Sequence, residues 1–347
     1  MKVISALNVN EAAAEGISYL LEHGVEENSR NGKVLVAPGP VCTIYHNPQE
    51  RVLFSPTRNA NPFFHLMEAL WMLSGNNDLE YPVWFNKRFK EYSDDGRTVW
   101  GAYGWRWRRF FGYDQLNEIV SELRKNPTSR RCVLSMWNAA EEVGHYDNVF
   151  ETDNDLEIAF RGGKDVPCNT HAYFDCRGGV LNMTVCNRSN DAIWGAYGAN
   201  AVHFSILQEY LASRIGVPMG VYRQVSNNFH DYLDIYDRDK LKTIATESRY
   251  LSSYTSGSPL KVIPLMNETH DKFMENLTDF IYGERDLTTL QKDDFFAFVA
   301  LPMSAAWDYH KDNDDEGALQ LINDMIDCDW KLASRQWLER SMERSNV

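Results

Sequence analysis

Cysteines stand at 42, 132, 168, 176, 186 and 328 of this chain. No CxxC pair occurs and no spacing suggests a zinc ligand set, so no metal site is expected. Five of the six read as ordinary buried thiols. Cys168 has a different setting: Pro167-Cys168-Asn169 ends a polar stretch and opens a β-rich one. A thiol held after a proline and near arginines has a lowered pKa and is a good nucleophile. Arg188-Ser189-Asn190-Asp191 directly follows a second predicted strand. An arginine fork beside a serine hydroxyl suits a phosphate, although the same composition also makes a plain surface turn. Arg130-Arg131 opens another predicted strand, where successive side chains point to opposite faces. One could hold an anion and the other a second site or a subunit contact; a solvated strand end is the alternative. Glu68 lies within the apolar run Met67 to Trp71, where a desolvated carboxyl could shuttle protons. His230 and Tyr232, placed at a strand-to-helix junction, could reach one ligand hydroxyl.

The elements that must position these groups are legible in outline. Residues 11–24 and 61–74 read as apolar-faced helices, the second with Pro62 in its first turn. Residues 33–45 read as strand, turn, strand, while Pro82 to Phe89 and Gln115 to Leu123 read as helices. Residues 130–137 read as a buried strand. Residues 171–177 and 180–187 flank Gly178-Gly179, a hairpin signal. Residues 199–214 read as a long helix, 217–226 as a strand, 228–242 as the next helix, and 293–346 as helical and charged. The stretch 140–166 reads as a loop insertion. Helices mixed with hairpin-joined strands predict an α+β fold with a mixed or antiparallel sheet. No GxGxxG or Walker A segment supports a dinucleotide or P-loop site.

Length and composition set the class. With 347 residues, 44% hydrophobic and 13% aromatic, the chain can bury a large core and is not disordered. A net charge of -14 argues against a long nucleic acid, though a few arginines can still hold one small anion. The first sixteen residues hold no apolar run long enough for a signal peptide or a membrane span. A soluble protein with free thiols is expected, in the cytoplasm or the host cytoplasm if viral.

The ordered set Arg30-Asn31-Gly32, Glu68 within MEALWMLSGNN, Tyr103-Gly104 before Trp107-Arg108, Arg130-Arg131 with Trp137-Asn138, Pro167-Cys168, Asn187-Arg188-Ser189-x-Asp191, Asn200 and His230-x-Tyr232 resembles the thymidylate synthase and pyrimidine hydroxymethylase family. The resemblance covers about residues 25–240, and the 20 positions from Cys168 to Arg188 match the family pattern. It implies a thymidylate synthase-like fold: one domain with a mixed sheet at a homodimer interface, packed against helices; the helical stretch from about 290 to 347 is read as an extension beyond that pattern.

The resemblance also implies roles. Cys168 adds to C6 of a pyrimidine nucleotide, so that C5 attacks the methylene carbon of 5,10-methylenetetrahydrofolate. Glu68 and Tyr103 serve proton transfer. Arg30, Arg188 and Ser189 hold the phosphate, and Arg130 and Arg131 reach the phosphate of the neighbouring subunit. His230 and Tyr232 bind the sugar hydroxyl. Asp191 faces the pterin, Arg58 lies near the folate tail, and Phe89 and Tyr92 stand in the folate pocket. No metal, nucleic acid or membrane partner is implied.

Three departures bear on the last step. Asn169 replaces the histidine usual after the nucleophile. Phe89-Lys90-Glu91-Tyr92 replaces a tryptophan pair. The chain ends LERSMERSNV without a short apolar tail to close over the folate, and about 110 residues follow Tyr232. A more open, polar pocket favours water over hydride in the final step. The expected activity is therefore hydroxymethylation of dUMP, with dTMP formation, dCMP or CMP hydroxymethylation, and a non-catalytic nucleotide- or RNA-binding module as alternatives. Asn200 would read the uracil edge through its donor and acceptor if one residue is inserted after Asp191. A shift of one position would put Ala199 there, and His203 is a more distant alternative. Such an activity would suit a virus that modifies its DNA, or an antibiotic pathway.

Overall fold

The computed structural model describes residues 1–29, 31–142, 164–254, 260–283 and 295–345. Its strands are β1 (Lys2–Ala6), β2 (Val25–Ser29), β3 (Gly32–Val36), β4 (Val41–Tyr45), β5 (Val133–Ser135), β6 (Asn169–Asp175), β7 (Leu181–Asn187), β8 (Asn190–Asp191), β9 (Met219–Ser226) and β10 (Phe229–Tyr232). A six-stranded sheet runs β1-β4-β9-β7-β6-β5, and a four-stranded one runs β2-β3-β10-β8. Parallel pairs (β1/β4, β7/β9, β8/β10) stand beside antiparallel ones, so the sheets are mixed and the fold is α+β as expected.

The β6/β7 hairpin sets the distance between nucleophile and arginine. Gly178 and Gly179 turn its tip at φ 69° and 76°, a region open to glycine at little cost. Antiparallel pairing then places Asn169 opposite Asn187, and one step further Arg188 N–H donates to the Cys168 carbonyl at 2.9 Å. The 20-residue spacing is thus a register. A shift between Asn169 and His171 bulges the strand beside Cys168.

The helix Pro62–Leu73 starts on Asn61, whose side chain accepts from Phe64 N–H at 3.1 Å. All of its residues except Phe64 and Glu68 are buried, which leaves Glu68 as the polar exception the sequence indicated. Behind it lies the short helix Tyr103–Arg108. A side chain on Gly104 would come within 2.0 Å of the Met72 carbonyl, so only glycine permits this approach.

Several boundaries differ from the sequence reading. Residues 229–232 are a strand, and the next helix is Arg238–Tyr250, capped by Asp237. Pairing with β3 and β8 decides this, because it buries Phe229, His230 and Asp231. The strand expected at 130–137 is only Val133–Ser135, and Arg130 and Arg131 lie exposed before it. The helix expected from Pro82 breaks at Asn86, whose side chain accepts from Arg88 N–H. Of the insertion expected at 140–166, residues 143–163 lie outside the described residues, as does Arg30.

The C-terminal third is helical: His270–Tyr282, Leu301–Lys311 with a wide turn before it, Asp315–Asn323 and Asp329–Ser345. It packs on the outer side of the Glu68 helix, where the Phe63 ring meets Trp307 and Trp337, both at 5.6 Å. A buried Arg51–Glu209 ion pair ties it further, because Glu209 also accepts from Leu265 N–H at 3.0 Å. One hydrophobic core runs from Ile4 to Leu338. Among the described residues no helix is long and apolar enough to cross a membrane.

Candidate active site

A cavity of about 490 Å³ opens between the Glu68 helix, the Tyr103 helix and the start of β6. Cys168, Glu68, Tyr103, Asp165 and Ala199 line one part of it, and Phe64, Trp71, Phe89, Tyr92, Trp194 and Arg58 another. Of the residues singled out from sequence, Cys168, Glu68, Tyr103, Arg58, Phe89 and Tyr92 therefore meet in one place.

Cys168 is held from both sides. Its N–H and that of Asn169 both donate to the Tyr103 hydroxyl, at 3.0 and 3.1 Å. Arg188 donates through Nε to the Pro167 carbonyl at 2.8 Å and through Nη2 to the Val166 carbonyl at 2.9 Å. The same Nη2 lies 3.7 Å from the Cys168 sulfur, and the guanidinium stacks over Trp137 at 5.7 Å. The guanidinium thus sets a fixed positive charge beside the sulfur. The other five thiols are pushed up by burial, and Cys186 is half-buried rather than fully enclosed as the sequence suggested. Burial, then the neighbouring Cys168, hold the Tyr103 phenol well above its ordinary value. It stays protonated, with its oxygen accepting from the backbone and its proton available to the cleft.

Glu68 stands 3.2 Å from His203 Nε2, close but not aligned for a hydrogen bond. A second carboxyl faces the same space. Burial, then the proximity of Glu68, push Asp165 up to about 6. Sequence reasoning passed over Asp165, which closes the polar stretch assigned to the insertion; its place three residues before the nucleophile was the available signal. His65 was missed too. It lines the cavity as a buried ring, and burial, then Arg58 and His203, hold it well below its ordinary value.

Asn200 is buried in a chain of amides. It accepts from Asn169 at 3.1 Å and donates to Asn190 at 3.0 Å. Asn190 in turn donates to Gln224 and Ser226, and Gln224 donates to the Ala196 carbonyl. Asn187 donates to Asn169 at the far end. A backbone carbonyl can only accept, so it orients every amide in the chain. Between Asp191 and Asn200 the chain forms a π-type wide turn over Ala192–Ala199. Gly198 completes it, since a side chain there would come within 2.8 Å of the Ile193 carbonyl. Ala199 reaches the cavity wall, while Asn200 enters the amide chain.

A second polar group lies behind Trp194. Asp191 accepts from Trp194 N–H and pairs in register with His230 on β10. Burial raises the carboxyls of Asp191 and Asp231 and lowers His230 and Arg58. Asp191 does not line the cavity itself, and its Oδ2 is buried with no hydrogen-bond partner among the described residues. Arg58 does line it, anchored by Nε to the Ile193 carbonyl at 3.1 Å. His230 and Tyr232, i and i+2 on a strand, share a face, with ring centroids 5.2 Å apart. Ser189 is half-buried beside Arg188. Arg130 and Arg131 are exposed and do not line the cavity.

Residues 14–254 match the family model described as thymidylate synthase. A deoxyuridylate hydroxymethyltransferase of Pseudomonas phage M6 is 44% identical over 98% of this chain and 94% of its own length. One of Bacillus phage SP01 is 35% identical over 59% of this chain and 52% of its own. The crystal structure of thymidylate synthase from T4 phage superposes with a TM-score of 0.51 at 19% identity, over 65% of this chain and 78% of that one. The α+β fold with its mixed sheets is the thymidylate synthase fold. The chain belongs to the thymidylate synthase family of one-carbon transferases, which uses methylenetetrahydrofolate as co-substrate.

Proposed function

We propose that this protein transfers a hydroxymethyl group to C5 of dUMP, with 5,10-methylenetetrahydrofolate as one-carbon donor and Cys168 as the covalent nucleophile. The observation that carries the reading is the single cavity that joins the Cys168 thiol, an aromatic wall and two carboxyls. The names of the two phage relatives support the same reaction.

C5 of uracil is a poor nucleophile. Addition of Cys168 at C6 divides one difficult step into two easier ones. Arg188 keeps the thiolate available, and with Arg30 and Ser189 it is assigned to the phosphate, whose binding energy positions the ring. The protonated Tyr103 hydroxyl and Glu68 serve proton transfer. His230 and Tyr232 are assigned to the sugar hydroxyl. Asn200 offers one N–H to uracil O4 and one lone pair to N3–H; the amide chain keeps it from turning over to suit cytosine.

The flat rings of Phe64, Trp71, Phe89, Tyr92 and Trp194 fit a pterin and its benzoyl group, and Arg58 fits the folate carboxylates. Asp191, with a buried oxygen to spare, suits the pterin amino groups. When bound, the folate supplies a carbon at the oxidation level of formaldehyde. The protein works as a homodimer in which Arg130 and Arg131 reach the partner's phosphate. The chain is one domain: a core of about 25–240, the insertion at 140–166 and the helical extension of about 290–347.

Mass analysis after incubation with dUMP, dCMP, UMP or CMP and methylenetetrahydrofolate tests the reading. dUMP should gain CH2O and tetrahydrofolate should be released. A methylated base with dihydrofolate would sink the hydroxymethylase reading, and gain on cytosine nucleotides alone would sink the role of Asn200. Cys168→Ala should lower product formation on the order of 10⁴-fold or more.

A further inference from the structure

Water must add to the C5 methylene, and it needs a base. Glu68 is assigned to the earlier proton transfers at the ring, and His203 Nε2 stands 3.2 Å from its carboxylate. Asp165 has no such assignment: among the described residues its carboxylate makes no hydrogen bond or ion pair, and it lines the same cavity as Cys168. We propose that Asp165 is a catalytic residue whose carboxylate takes the proton from the water that adds to the C5 methylene. This rests on the hydroxymethylase reading.

The segment that carries Asp165 is fixed at both ends. Lys164 N–H donates to both oxygens of Asp94, at 3.2 and 3.0 Å, and Lys164 Nζ to the Ser93 carbonyl at 2.9 Å. On the other side, Arg188 grips the Val166 and Pro167 carbonyls, which ties Asp165 to the nucleophile through one guanidinium. Asp165 packs flat on Gly101, where an added side chain would come within 2.5 Å of its Oδ2. The charged groups around it come from every neighbouring element: Glu68, Arg106, Arg188 and Glu142, with the phenols of Tyr92 and Tyr103. Burial and Glu68 bring the carboxyl up to about 6, so it is ionised at neutral pH and basic enough to accept a proton.

The step balances without an oxidant or reductant. Once the folate nitrogen has left, the base carries an exocyclic methylene at C5, conjugated with the C4 carbonyl, and Cys168 on C6. Water oxygen bonds to the methylene carbon, its proton passes to Asp165, and the displaced electron pair moves to the C4 oxygen. Collapse of that enolate forms the C5=C6 double bond and breaks the C6–S bond, releasing Cys168 thiolate and the 5-hydroxymethyl nucleotide. Asp165 returns its proton to solvent.

The test follows two steps of one reaction, with the full-length wild type and Asp165→Asn. Tritium release from [5-³H]dUMP reports the steps up to the methylene, and 5-hydroxymethyl-dUMP reports its hydration. In a single turnover with enzyme in excess over dUMP, Asp165→Asn should release tritium within about threefold of the wild-type rate while hydroxymethyl product forms at least about 100-fold more slowly. Added 2-mercaptoethanol, a nucleophile that ionises without help, should capture the stalled methylene as a thioether. For Asp165→Ala, added formate should restore hydroxymethyl formation, which a merely structural role would not allow. Product within about threefold of wild type in Asp165→Asn, equal loss of tritium release and product, or failure of formate to rescue would each overturn the assignment. A wild type that makes no hydroxymethyl product from dUMP would overturn the functional reading itself, a result distinguishable from all of these.

Discussion

Asp165 in the cleft and Asp329 at the head of the last helix are both pushed up to about 6, and burial is the first cause for each. Their partners differ. Asp329 accepts from the Tyr254 hydroxyl at 2.9 Å and from Trp330 N–H at 2.9 Å, and its own N–H donates to the Lys261 carbonyl. Asp165 faces open cavity and another carboxylate. A raised carboxyl is thus a candidate for function where, among the described residues, no donor reaches its oxygens. The two regions also differ in shape: the cleft leaves a cavity beside its carboxyls, while the C-terminal helices fill space with aromatic rings such as Trp307 and Trp337.

The comparison breaks most visibly at the rings. Trp307 packs on Phe63, Phe85 and Trp337 and donates to the Trp84 carbonyl at 3.0 Å. Trp307→Ala should cost about 3–5 kcal/mol in denaturant unfolding, while activity per folded molecule at low temperature stays near wild type. A comparable loss of activity with no loss of stability would place the extension inside the catalytic apparatus. Asp329→Asn should cost about 2 kcal/mol through lost hydrogen bonding, because one amide cannot accept well from both donors that the carboxyl serves; at pH 8 the cost should be smaller, since the variant also removes a buried ionised carboxyl. Asp165→Asn should carry no such cost. A carboxyl whose folded pKa exceeds its unfolded value opposes folding once ionised; the penalty grows as pH rises from about 4 to about 6 and then levels. Removing it should raise stability by about 1–2 kcal/mol at pH 8, after allowance for solvent screening, and by nothing at pH 4. Melting curves of both variants at the two pH values check the difference: a hydrogen-bonding loss at Asp329 that Asp165 does not show.

What the sequence made legible follows from locality. Cys168 and Arg188 could be paired because a two-glycine tip and two seven-residue strands fix their distance. Glu68 stood out because its neighbours along one helix are apolar. Asp165 did not, because its environment comes from Gly101, Tyr92 and Glu68, which lie 64 to 97 positions away in the chain. The His230 strand was read as a helix because its pairing with β3 is encoded about 200 residues earlier, around Leu35. Asn169 could be seen to depart from the family, but not that its amide would join Asn187 to Asn200.

The wide turn over Ala192–Ala199 joins the β8 strand to the helix that begins at Asn200. At its end Asn200 meets both Asn190 and Asn169, residues 10 and 31 positions back in the chain. Counting along the backbone and measuring across the fold are different rulers here, and the turn is where one is converted into the other.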